Sequence, residues 1–315
     1  MKKLSNPKKV QLIIAPCTIC RKVTTSTVVY PANFSVEDFN AATFSARRLP
    51  DRVHYQMVRC NTCGLLRSTP RLGEAALQVL YQKSRVTYEG DMRALDLTYG
   101  RALTKAFAFV KHTERLMEIG CGDGFFLLEA KRRGAKEVWG VEPSDQARAS
   151  ADPSIRKNIK SGLYRPGLFK KNFFDVICYF QVIDHLPDPL ASLRQSFSEL
   201  REGGIVLCIS HNLGASTNKL LGRRSPIIDI EHTYLFDKKT MTRICEEAGL
   251  VVRSFTPLWN THTIRHWVEL FPFPRPLKKL LLRIMRTLRI SELFIRLPAG
   301  NFVVVAQKIS KQRNP

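Results

Sequence analysis

From residue 114 onward, short apolar segments of strand length alternate with longer segments that have helical periodicity. The strand-like segments are, in order, "RLMEIG", "EVWGVEP", "FFDVICYF", "GIVLCIS", "VVRSFTPLW" and "NFVVVAQK". The clearest helix-like segments between them are "FFLLEAKRRG", "DPLASLRQSFSELREGG" and "DKKTMTRICEEAGL". Because strands that alternate with helices of this length form parallel sheets covered on both faces, the sequence predicts an α/β fold.

The helix-like segments carry residues that commonly mark helix ends. Asp188 and Pro189 suit the N-cap and the first helical position of the second segment, and Gly203 suits its C-terminal end. Asp237 and Gly249 suit the two ends of the third segment. These end signals support the helix assignments.

Three alternating glycines follow the first predicted strand, where a sheet of this kind binds ligands. Gly120, Gly122 and Gly124 remove side chains from the strand-to-helix turn, so that a ligand can lie on the backbone N–H groups. The spacing is G-x-G-x-G and therefore differs from the dinucleotide pattern G-x-G-x-x-G.

Two acidic residues accompany the glycines. Glu142 ends the next predicted strand, 18 residues beyond Gly124, where its carboxylate can accept hydrogen bonds from the two hydroxyls of a ribose. Glu118 lies on the first strand, and its charge would repel a pyrophosphate but attract a sulfonium or ammonium group.

These segments resemble the motifs of one enzyme family. "MEIGCGDGFF" resembles the first motif of class I S-adenosylmethionine-dependent methyltransferases, E-x-G-x-G-x-G, and "GVEPS" resembles their second motif. "FFDVICYFQVIDHLPDPLASLRQSFSELREGGIVLCIS" is similar to the family's fourth strand, its H-L-x-D-P loop, the following helix and the fifth strand. The similarity covers residues 114–258 and resumes at 300–308.

The resemblance implies a seven-stranded, mostly parallel, Rossmann-like sheet with strand order 3-2-1-4-5-7-6 and an antiparallel last strand. It also implies S-adenosyl-L-methionine as cofactor, with Glu142 on the ribose and the following residues around the rest of the molecule: Glu118, Gly120, Gly122, Gly124, Phe180, Gln181 and Tyr88. The segment "IKSGLYRPG" lacks the acidic residue that many relatives use on the adenine, and Ser161 is the available substitute. The alternatives are an NAD-binding sheet and an α/β domain that binds no nucleotide.

Two C-x-x-C pairs near the N-terminus indicate a metal site. Cys17 and Cys20 form one pair, and Cys60 and Cys63 form the other, which offers four thiolates to one tetrahedral Zn²⁺. A redox C-x-x-C or incidental thiols are the alternatives. We predict a zinc-binding module over 1–75, a helical linker over 76–112 and a methyltransferase domain over 113–315.

Candidate acid–base residues follow the fourth and fifth predicted strands. They are His185 in "IDHLPDP" and the adjacent pair Glu231 and His232 in "DIEHTYLF", and any of them could remove a proton from a hydroxyl or acidic carbon. A backbone hydrogen bond for His185 and a capping role for His232 are the structural alternatives. Sugar C-methyltransferases are similar in having a four-cysteine module, this core and an E-H pair, so the resemblance implies a sugar or small-molecule acceptor.

A basic amphipathic segment interrupts the last two predicted strands at 260–298. In "PLKKLLLRIMRTLRI", one helical face carries Leu277, Leu280, Leu281, Ile284, Met285 and Leu288, and the other carries Lys278, Lys279, Arg283, Arg286 and Arg289. This composition suits a helix lying on an anionic membrane surface. The alternative is a lid packed on the core by its apolar face.

The charge balance restricts the partners without choosing one. Fifty Lys and Arg residues against 27 Asp and Glu residues give a formal net charge of +23, which favours nucleic acid, an anionic membrane or an acidic substrate. We expect a cytoplasmic protein, peripheral at the inner membrane face, that methylates oxygen or carbon of a small-molecule, sugar or lipid-linked acceptor. An RNA methyltransferase and a non-catalytic scaffold of the same fold are the alternatives, and nucleic acid is the less favoured partner.

Overall fold

The computed structural model of the chain describes residues 11–23, 25–40, 43–44, 53–84, 92–271 and 273–309. Its strands are β1 (Leu12–Ile13), β2 (Ser26–Tyr30), β3 (Met57–Cys60), β4 (Leu66–Ser68), β5 (Arg71–Leu72), β6 (Arg115–Ile119), β7 (Glu137–Glu142), β8 (Ile159–Ser161), β9 (Phe174–Phe180), β10 (Leu200–His211), β11 (Tyr234–Leu235), β12 (Val251–Thr263) and β13 (Phe294–Gln307). Its α-helices are α1 (Glu74–Gln82), α2 (Met92–Phe107), α3 (Phe125–Arg132), α4 (Asp145–Ser150), α5 (Pro153–Arg156), α6 (Pro189–Glu199), α7 (Ser216–Leu221), α8 (Lys238–Glu247), α9 (Ile264–Leu270) and α10 (Arg275–Thr287).

The main sheet contains seven strands in the order β8-β7-β6-β9-β10-β13-β12. The strands from β8 to β10 are parallel, whereas β13 runs antiparallel to both of its neighbours. Counted along the chain within this sheet, the order is 3-2-1-4-5-7-6, so the predicted Rossmann-like topology is confirmed. The loops after β6, β7, β9 and β10 therefore meet at one edge of the sheet.

Alternating side chains of the central strands pack on opposite faces of the sheet. Val176 and Cys178 of β9 lie in the cluster that includes α2 and α3, and Ile177 and Tyr179 lie in the cluster that includes α6 and α8. Every residue of β9 is buried, as expected for a strand covered on both faces. This buried central strand holds the site loops at fixed positions.

The helix ends differ in part from the prediction. Asp188 caps α6 by accepting a hydrogen bond from the Ala191 N–H, and Asp237 caps α8 in the same way, as expected. However, α6 ends at Glu199, before the predicted Gly203, because the backbone becomes extended at Leu200. Leu200 is completely buried and begins β10. Burial of this side chain explains the early end of the helix.

The N-terminal region forms a small sheet that includes a strand from much later in the chain. Its strand order is β11-β4-β3-β2, with Tyr234 of β11 paired to Arg67 of β4. Arg67 is fully buried and donates to the carbonyl oxygen of Ala15 at 2.6 Å. Helix α2 lies within the predicted linker 76–112, whereas α1 begins before it, at Glu74. The cysteine-containing region is therefore joined to the main domain by a β-ladder.

The segment 260–298 contains two helices at the end of a long β-hairpin. The strands β12 and β13 stay paired as far as Thr263 and Phe294, so the predicted insertion begins and ends within strands. Between them, α10 packs against α9. Met285 is the buried residue of α10, while Leu277, Leu280, Ile284 and Leu288 are 40 to 61% exposed. Among the described residues, the structure has no helix with the length and apolar character needed to span a bilayer.

Candidate active site

The glycine loop and Glu142 meet at the edge of the sheet where β6 and β7 end. One carboxylate oxygen of Glu142 accepts from the Gly122 N–H at 2.8 Å, and the other accepts from the Ser144 N–H at 2.7 Å. Burial raises the pKa of Glu142, and these two N–H donors oppose the increase. Each carboxylate oxygen keeps a lone pair for a further donor, such as a ribose hydroxyl.

The three glycines have left-handed backbones but different surroundings. A Cβ at Gly122 (φ +55°) would meet nothing within 4 Å, so this residue presents open backbone. A Cβ at Gly120 would lie 2.8 Å from Val182, and one at Gly124 would lie 2.6 Å from Ile155. Gly120 and Gly122 line the cleft described below, whereas Gly124 precedes α3 and makes room for packing.

Glu118 lies buried behind the glycine loop. Its side chain is 4% exposed, and its Oε2 atom has no hydrogen-bond partner among the described residues. Burial raises the pKa of this carboxyl well above its usual range, and the negative charges of Glu142 and Asp123 raise it further. A positively charged ligand at the loop would relieve this repulsion, so the local charge fits a cationic cofactor.

A cleft of about 190 Å³ lies above the glycine loop. On the cofactor side its walls include Gly120, Gly122, Glu142, Phe180 and Gln181; on the other side they include Phe44, Tyr81, His185 and Glu231. The structure thus brings most of the predicted cofactor residues together with two of the three acid–base candidates.

Phe180 and Gln181 are held at the end of β9. The Phe180 ring stacks on Tyr99 with 4.9 Å between centroids and meets the edge of Phe126 at 4.4 Å. Gln181 has a left-handed backbone (φ 54°), and its Oε1 atom is buried without a hydrogen-bond partner among the residues the structure describes. An amide oxygen in this position suits a donor from a ligand in the cleft.

Of two further residues considered for the cofactor, the structure describes Ser161 but not Tyr88. Ser161 is exposed and pairs with Glu142 in the ladder between β7 and β8, while its neighbours Gly162 and Leu163 line the cleft. Tyr88 lies outside the described residues, so its role over the cofactor stays a prediction.

Tyr81 and His185 form part of the wall opposite the glycine loop. The Tyr81 hydroxyl lies 3.5 Å from Nδ1 of His185, and the Asp184 carboxylate lies 3.8 Å from its Nε2. Burial and the charge of Glu231 raise the pKa of Tyr81 well above its usual range, so its hydroxyl keeps its proton at neutral pH. This wall combines a titratable imidazole with a neutral hydroxyl donor.

Sequence reasoning missed a cluster behind this wall. The His232 ring lies 5.0 Å from that of His185 and 4.4 Å from that of His211, measured between centroids, and it is absent from the lining of the cleft. Asp184 is 1% exposed, and its carboxylate lies beside the rings of His185 and His211. His211 is the last residue of β10, at the ligand-binding edge of the sheet. A histidine at the end of a predicted strand is the sequence feature that could have identified it.

The four N-terminal cysteines converge. Their sulfur atoms lie within 4.8 Å of one another, with 3.5 Å between Cys17 and Cys63 and 3.3 Å between Cys20 and Cys60. Four thiolates about 2.3 Å from one tetrahedral ion would be about 3.8 Å apart. The four side chains therefore have nearly the spacing that such an ion requires.

The environment of Cys60 favours the ionised form that a metal binds. Burial opposes ionisation, but hydrogen bonds from the Cys63 backbone, from Cys20 and from the Thr62 backbone lower the pKa of Cys60 to about 6. The turn is closed by a hydrogen bond from the Gly64 N–H to the Cys60 carbonyl at 2.8 Å.

The first cysteine turn also contacts the loop that follows β9. Thr18 and Arg21 each donate to the Asp188 carboxylate at 2.7 Å. Arg71 donates to the carbonyl oxygen of Pro187 at 2.6 Å. The N-terminal module thus holds the start of α6, three residues beyond His185.

The sheet order, the glycine loop and Glu142 together define the class of α/β proteins that bind S-adenosylmethionine. A family model described as a methyltransferase domain matches residues 90–254, which are 165 of the 315 residues. The chain therefore belongs to this methyltransferase family.

Curated relatives match parts of the chain. An uncharacterized methyltransferase of Schizosaccharomyces pombe is 32% identical over 118 residues, which are 33% of this chain and 42% of the relative. The ubiquinone biosynthesis O-methyltransferase of Ruegeria pomeroyi is 33% identical over 31% of this chain and 41% of its own length. The ubiquinone biosynthesis O-methyltransferase of Aeromonas salmonicida is 27% identical over 47% of this chain and 69% of its own length. The chain thus spans less than half the length of the first two relatives.

Some solved structures are similar to this chain at low sequence identity. Geranyl diphosphate C-methyltransferase from Streptomyces coelicolor is 16% identical, with a TM-score of 0.46 over 69% of this chain and 80% of that protein. An S-adenosylmethionine-dependent methyltransferase from Archaeoglobus fulgidus is 15% identical, with a TM-score of 0.43 over 68% of this chain and 94% of that protein.

Proposed function

We propose that the protein transfers the methyl group of S-adenosylmethionine to a hydroxyl oxygen or an acidic carbon of a small lipid-soluble or lipid-linked acceptor, which includes lipid-linked sugars. The observation that carries the proposal is the cleft itself. Its one side carries the glycine loop and Glu142, and its other side carries His185 and Glu231.

When bound, S-adenosylmethionine supplies an activated methyl group, so the protein must mainly align the acceptor and remove its proton. We assign proton removal to His185, because its imidazole lines the cleft and the nearby Asp184 carboxylate stabilises the imidazolium that forms. Glu231 lines the same wall and is the second candidate. His232 supports the wall from behind.

The acceptor class is inferred from the position of α9 and α10. These helices follow β12, which runs parallel to β10, so they lie at the same edge of the sheet as the cleft. The exposed leucines of α10 alternate with basic residues, which suits contact with an anionic bilayer and favours it over the lid alternative. The relatives named as ubiquinone biosynthesis O-methyltransferases are compatible with a lipid-soluble acceptor. The similarity to sugar C-methyltransferases keeps a sugar acceptor within this class.

We also propose that Cys17, Cys20, Cys60 and Cys63 bind a structural Zn²⁺. The convergence of the four thiols and their sulfur separations support this assignment. Four protein ligands would fill a tetrahedral site, so we assign the ion no part in the reaction.

The proposed reaction is tested with S-adenosylmethionine labelled in its methyl group and a chloroform–methanol extract of bacterial membranes as acceptor. We expect label in the organic phase and a decrease in turnover of about 10²- to 10⁴-fold for His185→Gln, the usual range for loss of a general base. The affinity of this variant for S-adenosylhomocysteine should stay within a few-fold of wild type.

His112→Gln is the matched control, because His112 is exposed and does not line the cleft. It should turn over normally. Equal turnover by His185→Gln and wild type would refute the assigned base, and label that enters added bulk RNA but no lipid would favour the RNA methyltransferase.

A further inference from the structure

The cluster behind the acceptor wall has the composition of a metal site. The Nε2 atoms of His211 and His232 lie 3.2 Å apart, and Oδ2 of Asp184 lies 4.0 Å from Nε2 of His211. All three ligand atoms lie within 4.8 Å of one another. None of these residues belongs to the cysteine site.

The two imidazoles are oriented by hydrogen bonds at their other nitrogen atoms. Nδ1 of His232 lies 3.0 Å from the carbonyl oxygen of Ile227, and Nδ1 of His211 lies 2.9 Å from Oδ1 of Asn301. Since both partners are acceptors, both Nδ1 atoms carry protons, and both Nε2 atoms of the neutral rings carry lone pairs. Two lone pairs that face each other at this distance repel, and a metal ion or a shared proton between them removes the repulsion.

The Asp184 carboxylate supplies the third observation. It is 1% exposed, and neither of its oxygen atoms has a hydrogen-bond partner among the described residues. Its backbone carbonyl is engaged, because it accepts from the Thr233 N–H at 2.9 Å. A carboxylate buried in this way requires a positive charge nearby.

We propose that Asp184, His211 and His232 bind a divalent transition-metal ion such as Zn²⁺, Mn²⁺ or Fe²⁺. Two imidazoles and one carboxylate suit these ions better than Mg²⁺ or Ca²⁺, which prefer all-oxygen sites. Nitrogen atoms about 2.0–2.1 Å from one tetrahedral ion are about 3.3 Å apart, close to the observed Nε2 separation. The carboxylate must move closer by roughly 0.6 Å.

The site would join the segments that carry the acceptor wall. Asp184 precedes His185 in the loop after β9, and His232 follows Glu231. His211 anchors both to the end of β10. An ion at this position would fix His185 and Glu231 relative to the sheet, and its binding does not depend on the proposed reaction.

The test is a Co²⁺ titration of the full chain after removal of metals with a chelator under reducing conditions. We expect two bound equivalents: one with the thiolate-to-metal charge-transfer absorption of the cysteine site, and one without it. Metal content after gel filtration, measured by mass spectrometry, should give the same count. His211→Ala and the nearly isosteric Asp184→Asn should each bind only the thiolate-linked equivalent.

His112→Ala is the control and should bind two equivalents. The retained charge-transfer band and an unchanged affinity for S-adenosylhomocysteine show that a variant is folded. A wild-type protein that binds only the thiolate-linked equivalent overturns the proposal and indicates a proton shared between His211 and His232. Variants that keep the second equivalent overturn it as well.

Discussion

At the scale of single residues, Glu118 shows how burial raises the pKa of a carboxyl beside the proposed cofactor site. The carboxyl is buried, its Oε2 atom has no hydrogen-bond partner among the described residues, and two further acids lie nearby, so its proton is retained to higher pH than in an unfolded chain. A group with a raised pKa of this kind contributes stability below its unfolded pKa and loses that contribution as pH rises through the folded pKa.

Replacement of Glu118 by Gln should therefore stabilise the cofactor-free protein progressively as pH increases above about 4.3, the pKa of an unperturbed Glu. The measurement is the melting temperature of both proteins between pH 5 and pH 8. The same variant should bind S-adenosylmethionine more weakly, because it cannot offset the cationic sulfonium. A melting-temperature difference that is constant across this range, or that favours wild type more at high pH, contradicts the account.

The sequence predicted some of the site residues and missed others for a physical reason. The glycine loop and Glu142 belong to short contiguous motifs, and the strand-to-helix geometry that places them is local. His232 was predicted as an acid–base candidate, but its neighbours Asp184 and His211 come from two other segments, and only the tertiary fold brings the three together. Gly124 stays a predicted cofactor residue, and the structure adds that a Cβ at this position would lie 2.6 Å from Ile155.

At the scale of elements, α10 is the segment whose surface is least explained by the fold. It exposes a row of apolar side chains beside basic ones, and among the described elements α9 is the one that packs closely against it. The paired extension of β12 and β13 was not predicted. Apolar and polar residues alternate only weakly in "LWNTHT" and "FIRLPAG", so these segments form strands because they pair with each other.

Substitution of Leu280 or Ile284 by Glu should weaken binding to anionic vesicles by about tenfold or more each, since each buried leucine or isoleucine contributes roughly 1.5–3 kcal/mol. Melting temperatures should change little, because both side chains are about half exposed. Co-sedimentation with phosphatidylglycerol vesicles at low salt measures the effect.

Leu220→Glu is the control for the α10 variants. Leu220 is 88% exposed and belongs to α7, not to α10. This variant should leave vesicle binding nearly unchanged. Absence of binding by the wild-type protein, or equal losses in all three variants, contradicts the membrane proposal.

The cysteine module makes a second prediction at this scale. Loss of the ion in Cys20→Ser should remove the thiolate-linked equivalent and lower the melting temperature by roughly 10 °C, if the ion contributes about 4 kcal/mol. Cys245 is a buried residue of α8, and Cys245→Ser should keep the thiolate-linked metal equivalent. Unchanged stability and metal content in Cys20→Ser would exclude a zinc site.

At the scale of the whole molecule, the two regions build one cleft. The N-terminal region contributes Phe44 and Tyr81 to its wall, and the main domain contributes the glycine loop and His185. The β11 strand and the contacts of Thr18 with Asp188 tie the regions together. The sequence predicted the sheet order and the cysteine site, but this shared wall depends on pairing between distant segments.

The proposed activity depends most on recognition of the cofactor by the glycine loop and Glu142. Calorimetry with S-adenosylhomocysteine tests it directly, with Glu137→Ala as control because Glu137 is exposed at the start of the same strand. We predict one binding site in wild type and in the control. Glu142→Ala should bind about 30-fold more weakly, since a hydrogen bond to a charged group contributes about 2 kcal/mol. Equal affinity in Glu142→Ala and wild type, or no affinity in wild type, would contradict the account.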